Sequence, residues 1–138
     1  MDTVQKIIKL SNIESYTSKI GLEISGSFYP NPNQTIILLS PADNFWDIFK
    51  KSEEYTQKVK DPIDNWSFRV ISNIANKLFA KPEFPFGQKD NAPFLEWAKL
   101  SGKAWSSPVG MLVHNKMGLM ISYRGALVFD YQIKFKKL

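Results

Sequence analysis

The sequence predicts an α+β domain, an antiparallel sheet with helices packed on it. Three observations lead there. Two strand-like segments near the start, 22–29 and 34–40, are joined by the turn residues "PNPN". Two more near the end, 109–114 and 119–129, are joined by "NKMG". The helical patterns fall together between these pairs, so the order is α-β-β-α-α-α-β-β rather than the strict alternation of a doubly wound fold.

Residues 2–19 read as helical, with Val4, Ile7 and Ile8 near one face and Ile13 and Tyr16 continuing it. Ser11-Asn12 leave one helix or two open, and Gly21 closes the segment. "LEISGSFY" alternates Leu22, Ile24, Gly26 and Phe28 with polar or small residues, as a half-buried strand does. "QTIILLS" is a short apolar run, the mark of a strand buried on both faces. Ser40 then reads as a helix N-cap, with Pro41 in the first turn and Asp43 after it. Phe45, Ile48, Phe49 and Ser52 follow as the buried face of that helix. The device repeats at Asp61-Pro62, ahead of the stripe Ile63, Trp66, Val70, Ile71, Ile74 and Leu78. "KPEFPFG" (81–87) reads as an extended aromatic loop, because two prolines restrict its backbone. A third short helix spans "DNAPFLEWAKLSG", capped by Asp90 or Asn91 and ended by Gly102. "WSSP" reads as a loop, and the tail 130–138 extends the last strand through Tyr131, Ile133 and Phe135.

Composition removes several classes of chemistry. The 138 residues suit one domain, and 43% of them are hydrophobic, enough to build a core. With no cysteine, the chain holds no disulfide, thiolate nucleophile or iron–sulfur cluster of its own. A single histidine, His114, argues against a histidine-based metal site, and none is expected. The net charge of +5 is spread out, densest in the terminal "KFKKL", so no nucleic-acid partner is expected. No apolar run is long enough to span a membrane, and "MDTVQKIIKL" lacks the features of a signal peptide, so the expected setting is cytoplasmic, away from membranes.

Catalytic constellations are thin. His114 has no G-x-S-x-G partner motif, and neither a Walker loop nor G-x-G-x-x-G occurs. Glu53-Glu54 read as a solvated helix face. The aromatic residues Phe84, Phe86, Phe94, Trp97 and Trp105 carry more information. Their ordinary role is core; their alternative role is a flat apolar wall for a planar ligand, or a dimer interface. In "GLMISYRGAL" (118–127), Leu119, Ile121 and Tyr123 alternate with Met120, Ser122 and Arg124. A guanidinium at the end of an apolar strand needs a partner, either an acid of its own chain or an anionic ligand. Gly125 beside it would let the backbone approach such a ligand closely.

"LLSPADNFWDIFKKS", "VKDPIDNWSFRVI" and "GMLVHNKMGLMISYRGALVF" together resemble the cobalamin-processing protein of the CblC type, in order and approximate spacing across residues 36–129. A closer likeness is to bacterial ferredoxin-like proteins, on Asn65–Ile71, Phe84–Gly87, Pro93–Ala98, Ser107–His114 and Gly118–Leu127. The resemblance implies a flavin-reductase-like, nitroreductase-related fold. It implies binding of a corrinoid (cobalamin) or another planar redox cofactor, with flavin the alternative. Arg124, Tyr123, Gly125, His114, Phe86, Trp97 and Trp105 would be the cofactor-binding residues, Arg124 standing at the family's "R-G" position and His114 at its hairpin histidine. Any activity would be that of a cofactor-dependent reductase fed by a separate ferredoxin or other electron donor. The ferredoxin-like relatives carry a cysteine-rich segment after the matching region. A free-standing 1–138 domain without it, or a piece of a longer protein, are both open. The second reading is non-enzymatic: an interaction or homodimerisation module, a remnant with a vestigial site.

Overall fold

A computed structural model describes residues 10–87, 91–106, 112–114 and 123–133. Helix α1 (Leu10–Lys19) runs through Ser11-Asn12 without a break. It buries Ile13 and Thr17 and leaves Tyr16, expected on the inner face, exposed. The start of that helix, with Val4, Ile7 and Ile8, lies outside the described residues. Gly21 ends the segment with φ +79°, and a Cβ there would stand 2.8 Å from the Phe45 Cα. Left-handed backbone and this close approach together require glycine.

Strands β1 (Leu22–Phe28) and β2 (Thr35–Pro41) pair antiparallel, with a bulge between Ile24 and Gly26. The "PNPN" turn holds itself through Asn33 N–H donating to Asn31 Oδ1 at 2.8 Å and Asn31 Nδ2 donating to Gln34 Oε1 at 2.7 Å. β2 also pairs antiparallel with β6 (Gly125–Phe129), and β6 with the short edge strand β3 (Lys81–Glu83). The sheet order is β1-β2-β6-β3, and β2 is buried on both faces, which explains its unbroken apolar run. Side chains alternate along β2. Ile37 and Leu39 join Leu127 and Phe129 in one core; Ile36 and Leu38 join Ala126 in the other.

Several expected boundaries move. Ser40-Pro41 do not open a helix, because β2 continues through Pro41. Ser40 is fully buried, and its hydroxyl donates to Ser25 Oγ at 2.8 Å across the sheet. A hydroxyl satisfied across strands has no need of a helix end. The helix starts later, as α2 (Phe45–Phe49) with Asn44 at its N-cap. It soon stops, and Ser52 caps a separate α3 (Glu53–Thr56) by accepting from Tyr55 N–H at 3.2 Å, instead of packing inward. Phe45 and Phe49 nevertheless anchor α2, both meeting Trp66 nearly edge-on with centroids 5.3 and 5.8 Å away. Nor is Glu54 solvated. It takes Arg69 Nε and Nη2 at 2.8 and 2.9 Å, and those hydrogen bonds hold its carboxyl below its usual pKa.

Helix α4 (Pro62–Leu78) carries the expected stripe, burying Trp66, Val70, Ile71, Ile74 and Leu78. Asp61 does not cap it with its side chain; it sits at φ +47°, and Asn65 Nδ2 donates back to the Lys60 and Asp61 carbonyls instead. The expected 81–87 loop begins as β3, whose Pro82 is tolerated because β3 is an edge strand. Helix α5 (Phe94–Leu100) has Pro93 at its N-cap; Asn91 donates to the Pro85 carbonyl, and Asp90 lies outside the described residues. Gly102 closes α5 at φ +75° as expected. The "WSSP" segment starts in strand β4 (Ala104–Ser106), which pairs antiparallel with β5 (Leu112–His114). The described partner of β5 is therefore β4, while β6 belongs to the larger sheet; the 115–118 turn and residues 119–122 lie outside the described residues. Beyond β6, Thr35 ties the chain down: its Oγ1 donates to the Tyr131 carbonyl and accepts from Ile133 N–H, both at 2.8 Å. Residues 130–133 form no strand, and Phe135 lies outside the description.

The architecture is thus α+β, with a four-stranded antiparallel sheet carrying α1 and α4 on one face and α5 on the other. Among the described residues no helix is long and apolar enough to cross a membrane.

Candidate functional site

Arg124 enters at the mouth of β6. Its N–H donates to the Leu39 carbonyl at 2.8 Å, although Leu39 faces Gly125 in the ladder. This one-residue offset ends the period-2 alternation, and both Arg124 and Gly125 approach α4. The Arg124 Nη1 donates to Asp64 Oδ1 at 3.0 Å, with the arginine side chain 15% and the aspartate 41% exposed. The guanidinium carbon stands 5.7 Å from the Phe86 ring centroid, within cation–π range. Arg124 Nε is buried without a hydrogen-bond partner. The partner expected for this charge is thus supplied in part by the chain's own acid.

A hollow lies alongside. About 340 Å³ in volume, it is lined by Asp61, Asp64, Asn65, Phe68, Phe84, Phe86 and Gly87. Two elements build it. The first turns of α4 present Asp61, Asp64, Asn65 and Phe68, whose spacing of three, four and seven residues puts them on one helical face. The strap after β3 presents Phe84, Phe86 and Gly87. Phe84 packs between the rings of Phe68 and Phe86, with centroids 5.1 and 5.3 Å apart. Phe84 is buried and Phe68 is 54% exposed, so the ring wall runs from the core out to solvent.

The expected aromatic wall is therefore two separate groups. Phe84 and Phe86 pack on the α4 face of the sheet; Phe94 and Trp97 pack on the α5 face with Phe28 and Tyr123. Trp97 stands 5.2 Å from Phe94 and 6.4 Å from Phe28, centroid to centroid. Tyr123 sits 6.3 Å from Phe94, its hydroxyl buried without a partner and its pKa raised by burial. Gly125 makes its close approach to the core: a Cβ there would meet Ile71 Cδ1 at 2.7 Å and the Glu83 carbonyl at 3.2 Å. Of the predicted residues, the structure places Phe86 in the lining of the hollow and Arg124 behind that lining, in contact with Phe86 and Asp64, and it places Trp97 and Tyr123 elsewhere. For Trp105 and His114 only the backbone is described, in the β4–β5 pair; their side chains lie outside the description.

Sequence reasoning missed Asp61, Asp64, Asn65 and Phe68 as site residues. Asp61 read as a helix cap and Asp64 drew no reading, and the one signal for them was their shared face with Phe68 opposite the apolar stripe. Among the described residues, no three His, Cys, Asp or Glu side chains gather to hold a metal ion. No protein-family model, no curated protein and no solved structure matches the chain.

Proposed function

We propose that the chain is a binding domain for a planar redox cofactor, a flavin or a corrinoid, on a flavin-reductase-like fold of the CblC and ferredoxin-like kind. The observation that carries the reading is the hollow of about 340 Å³ beside Arg124, walled by Phe68, Phe84 and Phe86. Small-ligand sites are mostly apolar concavities of roughly 300–1,000 Å³ with a few fixed polar groups. This one is at the small end, which suits a single ring system or one arm of a larger cofactor better than a whole corrin macrocycle. The rings would stack on the planar part and exclude water. Arg124, paired with Asp64 and packed on Phe86, would brace the wall of the hollow from behind. The cofactor, when bound, supplies electron transfer, with a separate donor such as a ferredoxin upstream. A cytoplasmic setting belongs to this reading.

The test is a spectral titration with riboflavin and with hydroxocobalamin, paired with thermal unfolding. One of them should shift its visible spectrum on binding and raise Tm by several degrees at saturation, and Phe86→Ala should remove both effects. No change with either cofactor at high micromolar concentration refutes the proposal. A second reading, an interaction or homodimerisation module with a vestigial site, is favoured by the closed Arg124–Asp64 pair and by Phe79, 83% exposed at the end of α4. It predicts a mass that falls on dilution in light scattering, without any cofactor spectrum change.

A further inference from the structure

We infer that the hollow selects a cation carried on an apolar or aromatic body, such as an arylalkylammonium group. The inference rests on the reading that the hollow is a ligand site, and it adds the charge of what enters. Among the described lining residues, each polar side chain carries an acceptor. Asp61 makes no capping bond to α4, so the helix leaves its carboxylate unused. Asp64 gives one oxygen to Arg124 and keeps the other. Asn65 spends its amide N–H groups on the Lys60 and Asp61 carbonyls, at 2.6 and 3.3 Å, and so faces outward with its oxygen.

The surrounding charges agree. Among the described residues, the lining includes no lysine or arginine. Arg124 is matched by Asp64, while Lys60 meets Asn65 only through its carbonyl. The positive end of the α4 dipole offsets part of the acidic charge, and Asp61 is the negative charge left over. Three phenyl rings complete the lining, and the face of a ring attracts cations and repels anions. A carboxylate or phosphate entering here would meet acceptors and rings; an ammonium would meet acceptors for its N–H groups.

Amide chemical shifts of the full chain, followed while adding benzylammonium, benzyl alcohol or benzoate, test this with one ring and three charges. Benzylammonium should move the amides of Asn65, Phe68, Phe84, Phe86 and Gly87 saturably, and benzoate should bind at least about tenfold more weakly. Asp61→Asn should weaken benzylammonium about fivefold and leave benzyl alcohol unchanged. Asparagine accepts the left-handed backbone of residue 61, so amides far from the hollow should keep their positions. Benzoate binding as tightly as benzylammonium, or an Asp61→Asn variant with undiminished benzylammonium affinity, overturns the charge selection while ring binding stands. If none of the three probes moves these amides at millimolar concentration, the hollow is not a ligand site and the inference falls together with the proposed seat of the cofactor.

Discussion

Replacing Gly125 with alanine separates two explanations for that glycine, close approach to a ligand and close approach to the protein's own core. An added Cβ would lie 2.7 Å from Ile71 Cδ1, 3.2 Å from the Glu83 carbonyl and 3.3 Å from Phe84 Cδ1. Carbon atoms rest about 3.5–4.0 Å apart, so the first contact is short by roughly 1 Å. Ile71 has no exposed surface into which to retreat. The carbonyl belongs to β3, which carries the strap forming the hollow. Overpacking of this kind costs about 1–3 kcal/mol. With 138 residues, the unfolding entropy near Tm is about 0.29 kcal/mol/K, so Gly125→Ala should lower Tm by roughly 3–10 °C. Ile71→Val removes the clashing methyl and by itself costs about 0.5–1.5 kcal/mol. The double variant should therefore be more stable than the sum of the two singles predicts, by about 1 kcal/mol or more. Denaturant unfolding of the four proteins measures this coupling directly. A Gly125→Ala protein as stable as the parent, or two losses that simply add, would refute the packing argument and return Gly125 to the ligand.

Two further outcomes follow from polar contacts between distant residues. Because Arg69 holds the Glu54 carboxyl below its ordinary pKa, the stability this pair contributes is present above the unfolded-state pKa and is lost as pH falls through the folded one. Glu54→Gln should cost about 1 kcal/mol near neutral pH and make the decline in stability on acidification shallower, as followed by urea unfolding at stepped pH; an unaltered slope contradicts it. Thr35→Val removes the acceptor of Ile133 N–H and the donor to the Tyr131 carbonyl while keeping the shape of the side chain. Leaving the Ile133 amide unsatisfied should cost about 1–3 kcal/mol and speed its hydrogen exchange relative to β2; unchanged exchange there would show that the clip does not hold the segment.

The sequence alone determined the α+β class, the β1–β2 pair, the long α4 with its buried stripe, the end of α5 at Gly102 and the burial of β2. Each rests on a local signal, such as side-chain periodicity, turn residues or glycine at a helix end, and such signals act over a few residues. It also marked Arg124 as a charge in need of a partner. It could not name Asp64, because the two are sixty positions apart and meet only when β6 and α4 pack. Likewise, "LLSP" reads equally well as a strand end or a helix start until β1 supplies Ser25 to the Ser40 hydroxyl. The aromatic residues 84–97 look like one group along the chain, yet the sheet passes between them and divides them into two cores. Local pattern decides which element forms; the placement of charges and rings around a cavity depends on contacts between distant residues, and only the packed chain brings those together.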